Sequence, residues 1–265
     1  MSGRLLRFLP TSGSAASAAL GLGMLLAIWW AATVLLQLRP VILPDPVAVW
    51  RELVGMAQSG TLLVDVATSL WELLWGFLVG STLGVLSGFA LARHPRLRGF
   101  LEPLVETFRF VVPFSLVPLV VVWFGVSLVG KIFVVAYACY FVVTINTAAA
   151  VQGIDPLVLK AARMLGTGGW RLLLQVVLPA ALPHFLTGLR ISGGLALVGA
   201  VVAEFVAGSG GFASGLAYRI LEAGYRLEIA RMFAALVLLS LAGIAINAGL
   251  GWLGRVLLRR RGDAA

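Results

Sequence analysis

The stretch of sequence closest to a nucleotide-binding motif is GVSLVGKI, at residues 125–132. It comes within one residue of the phosphate-binding pattern G-x-x-x-x-G-K-[ST], in which backbone N–H groups surround the phosphates and the hydroxyl binds Mg²⁺. Ile132 stands where that hydroxyl residue is required, and no predicted strand precedes the stretch. We therefore predict that this chain binds no cofactor and no ATP itself.

Other reactive residue types are few and scattered along the chain. Cys139 is the single cysteine, and His94 and His184 are far apart in sequence, so neither a disulfide nor a metal site has support. The sequence also offers no Ser-His-Asp set and no paired carboxylates in a soluble fold. We expect a protein that is not an enzyme.

Arg109 is an ionisable residue inside an apolar run, roughly nine residues or ~14 Å along a helix from its start. Charged groups in hydrocarbon are costly, so they are functional candidates. Glu106 lies three residues earlier and is close enough on a helix to pair with it. Two interpretations stay open. Either the pair only fixes helix packing, or Arg109 lies beside a transport pathway near Pro113 and Pro118 and suits an anionic solute.

Polar and small residues inside other apolar segments are further candidates for lining such a pathway. Two adjacent glycines follow Ser192, and they are expected to weaken their helix locally. The full candidate set for the pathway is Arg109, Pro113, Ser115, Pro118, Asn146, Ser192, Gly193 and Gly194.

The composition indicates the solvent in which these residues work. Of 265 residues, 60% are hydrophobic and only 12% are charged, with a mean hydropathy of +1.02. A soluble domain is nearer half apolar and a quarter charged, so the lipid bilayer must be the solvent. The net charge of +9 is then explained by basic loops at the inner membrane face, without a nucleic-acid partner.

Six apolar segments are long enough for a helix to cross a bilayer core of ~30 Å. The first is predicted to be an anchor, because its apolar run is long for a signal peptide and no small-residue cleavage site follows. The predicted class is an all-α membrane protein with one transmembrane domain, 18–257, between an N-terminal segment, 1–17, and a basic tail, 258–265. The predicted spans are 18–37, 67–92, 101–124, 131–151, 183–206 and 232–257.

The basic residues predict the orientation of these spans. With both termini in the cytoplasm, twelve of the twenty Lys and Arg residues lie on the inner side, six, including Lys131, on the outer side, and two within spans. Inner loops collect Lys and Arg, so this bias favours cytoplasmic termini. Residues 152–182 then form the one long cytoplasmic loop, and the outer segment 208–231 is too glycine-rich to be all helix.

The second span carries glycine at every fourth position, at Gly76, Gly80, Gly84 and Gly88. That spacing forms a smooth ridge on one helix face, which another helix can approach closely. The ridge predicts either a seam between two copies of the chain or packing within one copy. We favour packing within one copy, because every helical bundle needs such faces.

The cytoplasmic loop begins with the capping signals of a short helix. Asp155 is a candidate N-cap, Pro156 takes the first helical position and Gly166 is a candidate C-cap. The spacing between them predicts an apolar stripe with Lys160 and Arg163 off it. The stripe consists of Leu157, Val158, Ala161, Ala162 and Leu165.

A second short helix is predicted at residues 170–177, ended by Leu178 and Pro179. The loop would then be two short helices with exposed apolar side chains. The residues alone leave open whether lipid or a partner protein covers those side chains.

Two alanines, a glycine and a Leu-Pro pair in this loop have the spacing of a known signature. The loop resembles the EAA signature of ABC-importer permeases, which reads Glu-Ala-Ala, three residues, Gly, nine residues, Ile, one residue and Leu-Pro. Val176 takes the Ile position, and Lys160 stands where the family has Glu, which reverses the charge. The matching residues are Ala161, Ala162, Gly166, Leu178 and Pro179.

The resemblance extends from about Leu43 to the C-terminus. LPDPVAVW, RHPRLRGFLEPL, NTAAAVQGIDP and VVAEFVAG are similar to permeases for nitrate, sulfonate, taurine and related small solutes. Those permeases often continue their arginine with a proline-rich run, whereas FVVPFSLVP follows Arg109. We expect the same broken architecture with a differently lined pathway.

The resemblance implies a type I importer permease in the bacterial inner membrane. Two copies would form the pathway, two soluble ATPase subunits would bind ATP and Mg²⁺, and an extracytoplasmic solute-binding protein would dock outside. The family also places a docking or gating segment at 208–231. The loop would couple ATPase closure to the spans through Asp155, Leu157, Lys160, Ala161, Ala162, Leu165, Gly166, Leu178 and Pro179. The alternative is a stand-alone channel or secondary transporter whose loop rests on lipid.

Overall fold

The computed structural model describes residues 14–37, 39–207 and 214–262, and every regular element in those ranges is a helix. The predicted N-terminal segment 1–17, outer segment 208–231 and tail 258–265 lie partly outside these ranges. The helices are α1 Ser14–Leu35, α2 Pro46–Gln58, α3 Thr61–Arg93, α4 Pro95–Arg109, α5 Pro113–Phe124, α6 Leu128–Gln152, α7 Pro156–Met164, α8 Gly169–Leu172, a π-helical turn Leu173–Val177, α9 Leu178–Ala207, α10 Leu216–Tyr225 and α11 Ile229–Gly262.

Four helical stretches in the described chain are long and apolar enough to cross a membrane. The apolar part of α1, Leu20–Leu35, is shorter than these. The all-α membrane class is thus confirmed, while the count of six spans and the cytoplasmic termini stay predictions. The four stretches are Thr61–Arg93, Leu128–Gln152, Leu173–Phe205 and Ile229–Val256.

The predicted span 101–124 is not one continuous helix. It divides into α4 and α5, which together are long and apolar enough to cross a membrane. The two helices are bent by 98° at the break between them. Pro113 begins α5, and a proline without a backbone N–H favours a helix start at that position. The break comes after Arg109, which lies at the end of α4, so its depth of ~14 Å in the membrane stays a prediction.

Glycines on α3 let α6 lie directly against it. A Cβ placed on Gly84 would come 2.8 Å from Tyr140 O, and one on Gly88 would come 2.6 Å from Thr144 O. The two glycines before them face α6 in the same way. The glycine ridge therefore packs within one copy of the chain, and that prediction is confirmed.

Helix α9 packs against α6 as well, which completes a core of three helices. A Cβ on Gly199 would lie 3.1 Å from Val135 Cα. Cys139 is fully buried, with its Sγ 3.5 Å from Ser192 O. Helix α7 follows the end of α6, and α10 follows the end of α9. The core therefore holds these two short helices at opposite ends of α9.

The last long helix, α11, packs against α2, α9 and α10. Ala234 on α11 is buried in a cluster with Val49 and Met56 of α2. Trp29 of α1 packs against the same cluster, and its Nε1 donates to Pro44 O at 3.1 Å. The first two helices are thus attached to the core through α11 and through the packing of α2 on α3.

Candidate functional site

The start of α7 is fixed by the residues that the sequence predicts. Leu157 N donates to Asp155 Oδ1 at 2.8 Å, and Pro156 takes the first helical position. An aspartate at the N-cap satisfies a backbone donor that the first turn leaves free. The predicted N-cap is confirmed.

The end of α7 is a Schellman turn at Gly166. This glycine has a φ of +78°, in the left-handed region that favours glycine. Gly166 N donates to Arg163 O and Thr167 N donates to Ala162 O, both at 3.0 Å. These two bonds take up carbonyls that the last turn leaves free, so the predicted stop is confirmed.

The apolar stripe of α7 does not face one way, and in this respect the prediction is wrong. Ala162 faces inward at 9% exposure and packs with Ile154 and Leu172. Leu159, which was outside the predicted stripe, packs against the same cluster. A small alanine lets the short helix approach its own chain closely, and the longer side chains other than Leu159 then point away. The exposed residues between positions 157 and 165 are Leu157, Val158, Lys160, Ala161, Arg163, Met164 and Leu165.

The second half of the loop continues into a spanning helix, so the predicted stop at Leu178 and Pro179 is wrong. Helix α8 passes through the π-helical turn directly into α9. Leu178 N donates to Leu173 O across that wider turn, and π turns of this kind are inserted within longer helices. Both Leu178 and Pro179 are half-buried in the first turn of α9.

Arg109 is the last residue of α4, at the break before α5. Its Nη2 lies 2.9 Å from Glu106 Oε2, so the predicted pair is confirmed. The guanidinium also lies 5.0 Å from the centroid of the Phe110 ring, within the range of a cation–π contact. The Tyr137 hydroxyl donates to Phe108 O at 2.7 Å, which satisfies a carbonyl close to the break.

A cavity of about 350 Å³ lies beside this break. Pro113 at the start of α5, Phe141 of α6 and Leu195 of α9 contribute to its walls. Among the described residues that line it, Arg109 alone is charged. The arrangement is a mainly apolar cavity with one guanidinium in its wall, which forms a hydrogen bond with Glu106 and has further N–H groups that can bind a small anion.

The other candidate pathway residues do not line this cavity. Ser192 is fully buried and its hydroxyl donates to Leu189 O at 2.9 Å, while Asn146 Nδ2 donates to Val142 O at 2.8 Å. A Cβ on Gly193 would overlap the side chain of a leucine on α11, and α9 runs through the two glycines without a break. Exposed positions are found at Ser115, Pro118 and Gly194. A pathway role for any member of the set stays a prediction.

Lys131, which the sequence predicts on the outer side, lies within a helix and not in an exposed loop. It is buried in α6, and its Nζ lies 2.8 Å from Glu72 Oε1 on α3. The lysine of the near-match to a phosphate-binding loop is therefore already paired, and the element before that stretch is helix α5. A phosphate-binding loop follows a strand and keeps its lysine free for the nucleotide.

A second ion pair joins α3 to α10. Arg219 Nε lies 2.8 Å from Asp65 Oδ2, and Arg219 Nη1 lies 2.9 Å from Glu222 Oε2. The hydrogen bond with Asp65, supported by the one with Glu222, raises the pKa of Arg219 above its ordinary value. Helix α10 is thus a folded part of the outer segment. Residues 226–228 after it are not helical, so the segment is not all helix, as predicted.

The bundle, its broken helix pair and its capped surface helix fit a membrane transport subunit. The chain belongs to the family of binding-protein-dependent transport system inner membrane components, whose family model matches residues 80–262. It is therefore an inner-membrane permease subunit of a binding-protein-dependent transport system.

Named relatives cover most of the chain. It is 31% identical over 247 residues to the taurine transport system permease protein TauC of Escherichia coli K12, a match that covers 91% of this chain and 88% of that protein. It is 32% identical over 238 residues to the putative aliphatic sulfonates transport permease protein SsuC of Bacillus subtilis 168, over 90% of this chain and 85% of that protein. The predicted resemblance is confirmed, and the stand-alone channel has no support.

The fold is also similar to that of solved transporters. A chain of the MetNI methionine ABC transporter in an inward-facing conformation gives a TM-score of 0.57 at 20% identity, covering 74% of this chain and 95% of that chain. An amino acid ABC transporter crystallised with histidines gives a TM-score of 0.56 at 18% identity, over 78% and 97% of the two chains. These likenesses concern the fold alone.

Proposed function

We propose that this chain forms the translocation pathway for a small sulfonate or a similar organic anion. Relatives named for taurine and aliphatic sulfonates support that solute class. The single observation that carries it is Arg109 as the one charged residue in the described lining of a mainly apolar cavity. A guanidinium presents several donors in a planar fork that suits oxyanions, and its charge is permanent.

The exposed side of α7 is the surface we assign to the ATPase. Leu157, Met164 and Leu165 are 69%, 88% and 85% exposed on a helix that is capped at both ends. A short helix with such side chains fits a groove on a protein partner. The inner face of α7 packs on Leu172 and Val177. A displacement of α7 is therefore transmitted directly to the start of α9.

The assembly proposed around this surface contains two copies of the chain, two ATP-binding subunits and one extracytoplasmic binding protein. ATP and Mg²⁺ bind to the ATPase subunits in this arrangement. The glycine ridge of α3 is occupied by α6 of the same copy, so the second copy would use another helix face. The family membership supports the ATPase and the binding protein as components.

The test is co-purification with the candidate ATPase, followed by uptake of radiolabelled taurine into proteoliposomes that contain the binding protein. Leu157→Glu and Leu165→Glu place charge on the outer side of α7, and we expect the ATPase to be lost and uptake to fall to background. Tyr225→Glu is the matched control, because Tyr225 is 81% exposed at the end of α10, the short helix that follows α9. It should keep the ATPase bound.

Two results would overturn the proposal. If no ATPase binds the folded wild-type protein, coupling through α7 is wrong and a stand-alone channel or carrier becomes the working hypothesis. If ATP-driven uptake occurs for an uncharged solute and not for taurine or another alkyl sulfonate, the anionic solute class is wrong.

A further inference from the structure

The first turn of α10 is capped by side chains from other helices. Its own N-cap residue is Gly215, which has no side chain to offer. Leu216 N donates instead to Ser69 Oγ of α3 at 2.8 Å. The capping partner lies far away in sequence, so the contact depends on the tertiary fold.

Glu204, near the end of α9, takes the next two donors. Its Oε2 accepts from Ala217 N at 2.9 Å and from Tyr218 N at 3.2 Å, and its Oε1 accepts from the Ser69 hydroxyl at 2.6 Å. Ser69 and Glu204 are 6% and 1% exposed. A carboxylate at a helix N-terminus is also favoured by the helix dipole.

Gly215 is required for this contact. A Cβ at that position would overlap the Glu204 carboxylate, although the φ of Gly215 is an ordinary negative value. The glycine therefore serves close approach and not backbone freedom. The Asp65–Arg219 pair holds the same helix to α3 one turn further on.

We infer that Ser69 and Glu204 are positioning residues for import, which hold α10 so that it moves with the outer ends of α3 and α9. Buried hydrogen bonds to a carboxylate are costly to break, so α10 cannot shift freely while they are present. The continuous helical stretch Leu173–Phe205 starts beside α7 and ends one residue after Glu204. It therefore connects the proposed ATPase surface to the cap of α10 over about 50 Å, at 1.5 Å per residue.

The transport part of this inference rests on the proposed function, whereas the cap of α10 does not. The cap is therefore tested first, by hydrogen exchange. The variants Ser69→Ala and Glu204→Ala remove the cap, and Glu204→Gln keeps an acceptor oxygen. The matched control is Glu228→Ala, which removes an exposed carboxylate paired with Arg231 just after α10. Exchange is followed in the complex with its ATPase, in lipid nanodiscs, for peptides that contain residues 216–218.

We expect exchange at these three amides to rise roughly tenfold in both alanine variants, which corresponds to about 1.4 kcal/mol of lost local stability. Glu204→Gln should fall between them and the wild type, and Glu228→Ala should match the wild type. Ser69→Ala removes a single oxygen, so it keeps the test open if Glu204→Ala does not fold.

The transport readout is the amount of taurine imported per ATP hydrolysed. Without the cap α10 moves separately from α9, so this ratio should fall severalfold in Ser69→Ala while Glu228→Ala keeps the wild-type ratio. Unchanged exchange at residues 216–218 in Ser69→Ala would overturn the cap. Faster exchange with an unchanged ratio would overturn the positioning role, and loss of ATPase binding by the wild type would count against the proposed function alone.

Discussion

Lys131 Nζ and Glu72 Oε1 lie 2.8 Å apart between α6 and α3, and both side chains are at most 2% exposed. The other oxygen of this carboxylate, Oε2, is buried without a hydrogen-bond partner among the residues that the structure describes. Lys131 is thus the one side-chain donor to Glu72 among the described residues. Breaking a buried pair leaves an uncompensated charge, which is more costly than replacing both partners by apolar groups.

We therefore predict that Lys131→Met lowers the free energy of unfolding by about 3–5 kcal/mol. The double variant Lys131→Met with Glu72→Leu should recover most of that loss, because no buried charge is left without a partner. The thermal midpoint in detergent measures both effects. A double variant that is less stable than Lys131→Met would contradict this account of the pair.

The glycine ridge gives a second prediction, on packing. Gly84→Leu should destabilise the fold by about 1–3 kcal/mol or more, because its side chain must enter the space occupied by Tyr140 O and Val143. Gly194→Leu is the control, since nothing lies within 4 Å of a Cβ on Gly194. Size-exclusion chromatography with thermal challenge compares the two. Equal stability of both variants would contradict close packing of α3 on α6.

Features set by neighbouring residues were predictable from the sequence. Asp155 and Gly166 cap α7 through residues within a few positions of themselves, and the glycine ridge follows from a period of four. The inward turn of Ala162 was not predictable, because it depends on a cluster supplied by α6, α8 and α9. The π turn likewise has no single-residue signal, so the end of the loop was misplaced.

The cap of α10 could be predicted only in part. Three polar residues precede Gly76 on α3 at intervals of three or four residues, namely Asp65, Ser69 and Glu72. They therefore continue the glycine ridge along the same face of the helix. That continuity indicates a buried polar contact at one end of the helix. Its partners come from α6, α9 and α10, and only the fold brings them together.

Gly166 carries a third prediction, on ATPase binding. Nothing lies within 4 Å of a Cβ at this position, so the added bulk itself is tolerated and the backbone conformation decides the effect. Gly166→Val forces a β-branched residue into the left-handed region, at a cost of about 1–2 kcal/mol. Binding of the ATPase should weaken by roughly tenfold, since 1.4 kcal/mol is a factor of ten.

Two controls separate strain from bulk at this turn. Gly166→Asn should keep most of the binding, because asparagine tolerates the left-handed region. Gly168→Val should also keep it, since Gly168 has no positive φ and no heavy atom within 4 Å of its Cβ position. Titration of the ATPase onto the immobilised permease measures the affinity. Equal weakening by the valine variants at 166 and 168 would contradict the role of the turn.

Arg109 carries the last prediction, on solute transport. Arg109→Gln should lower the maximal rate of taurine uptake by about tenfold or more, because a charge-assisted hydrogen bond worth ~1.5–3 kcal/mol is lost. The variant should remain folded, since the Arg109–Glu106 pair is exposed, at 41% and 45%, and exposed ion pairs contribute little to stability. Arg109→Lys, which keeps the charge but not the planar fork, should retain part of the rate.

Arg98→Gln is the matched control for this prediction. Arg98 forms a similar exposed pair with Glu102, at 2.9 Å on the same helix, but does not line the cavity beside the break. Loss of uptake in Arg109→Gln with full uptake in Arg98→Gln therefore requires a role specific to the cavity. Equal loss in both would indicate that ion pairs along α4 fix its position. Full uptake in Arg109→Gln would leave the Arg109–Glu106 pair as a packing contact only.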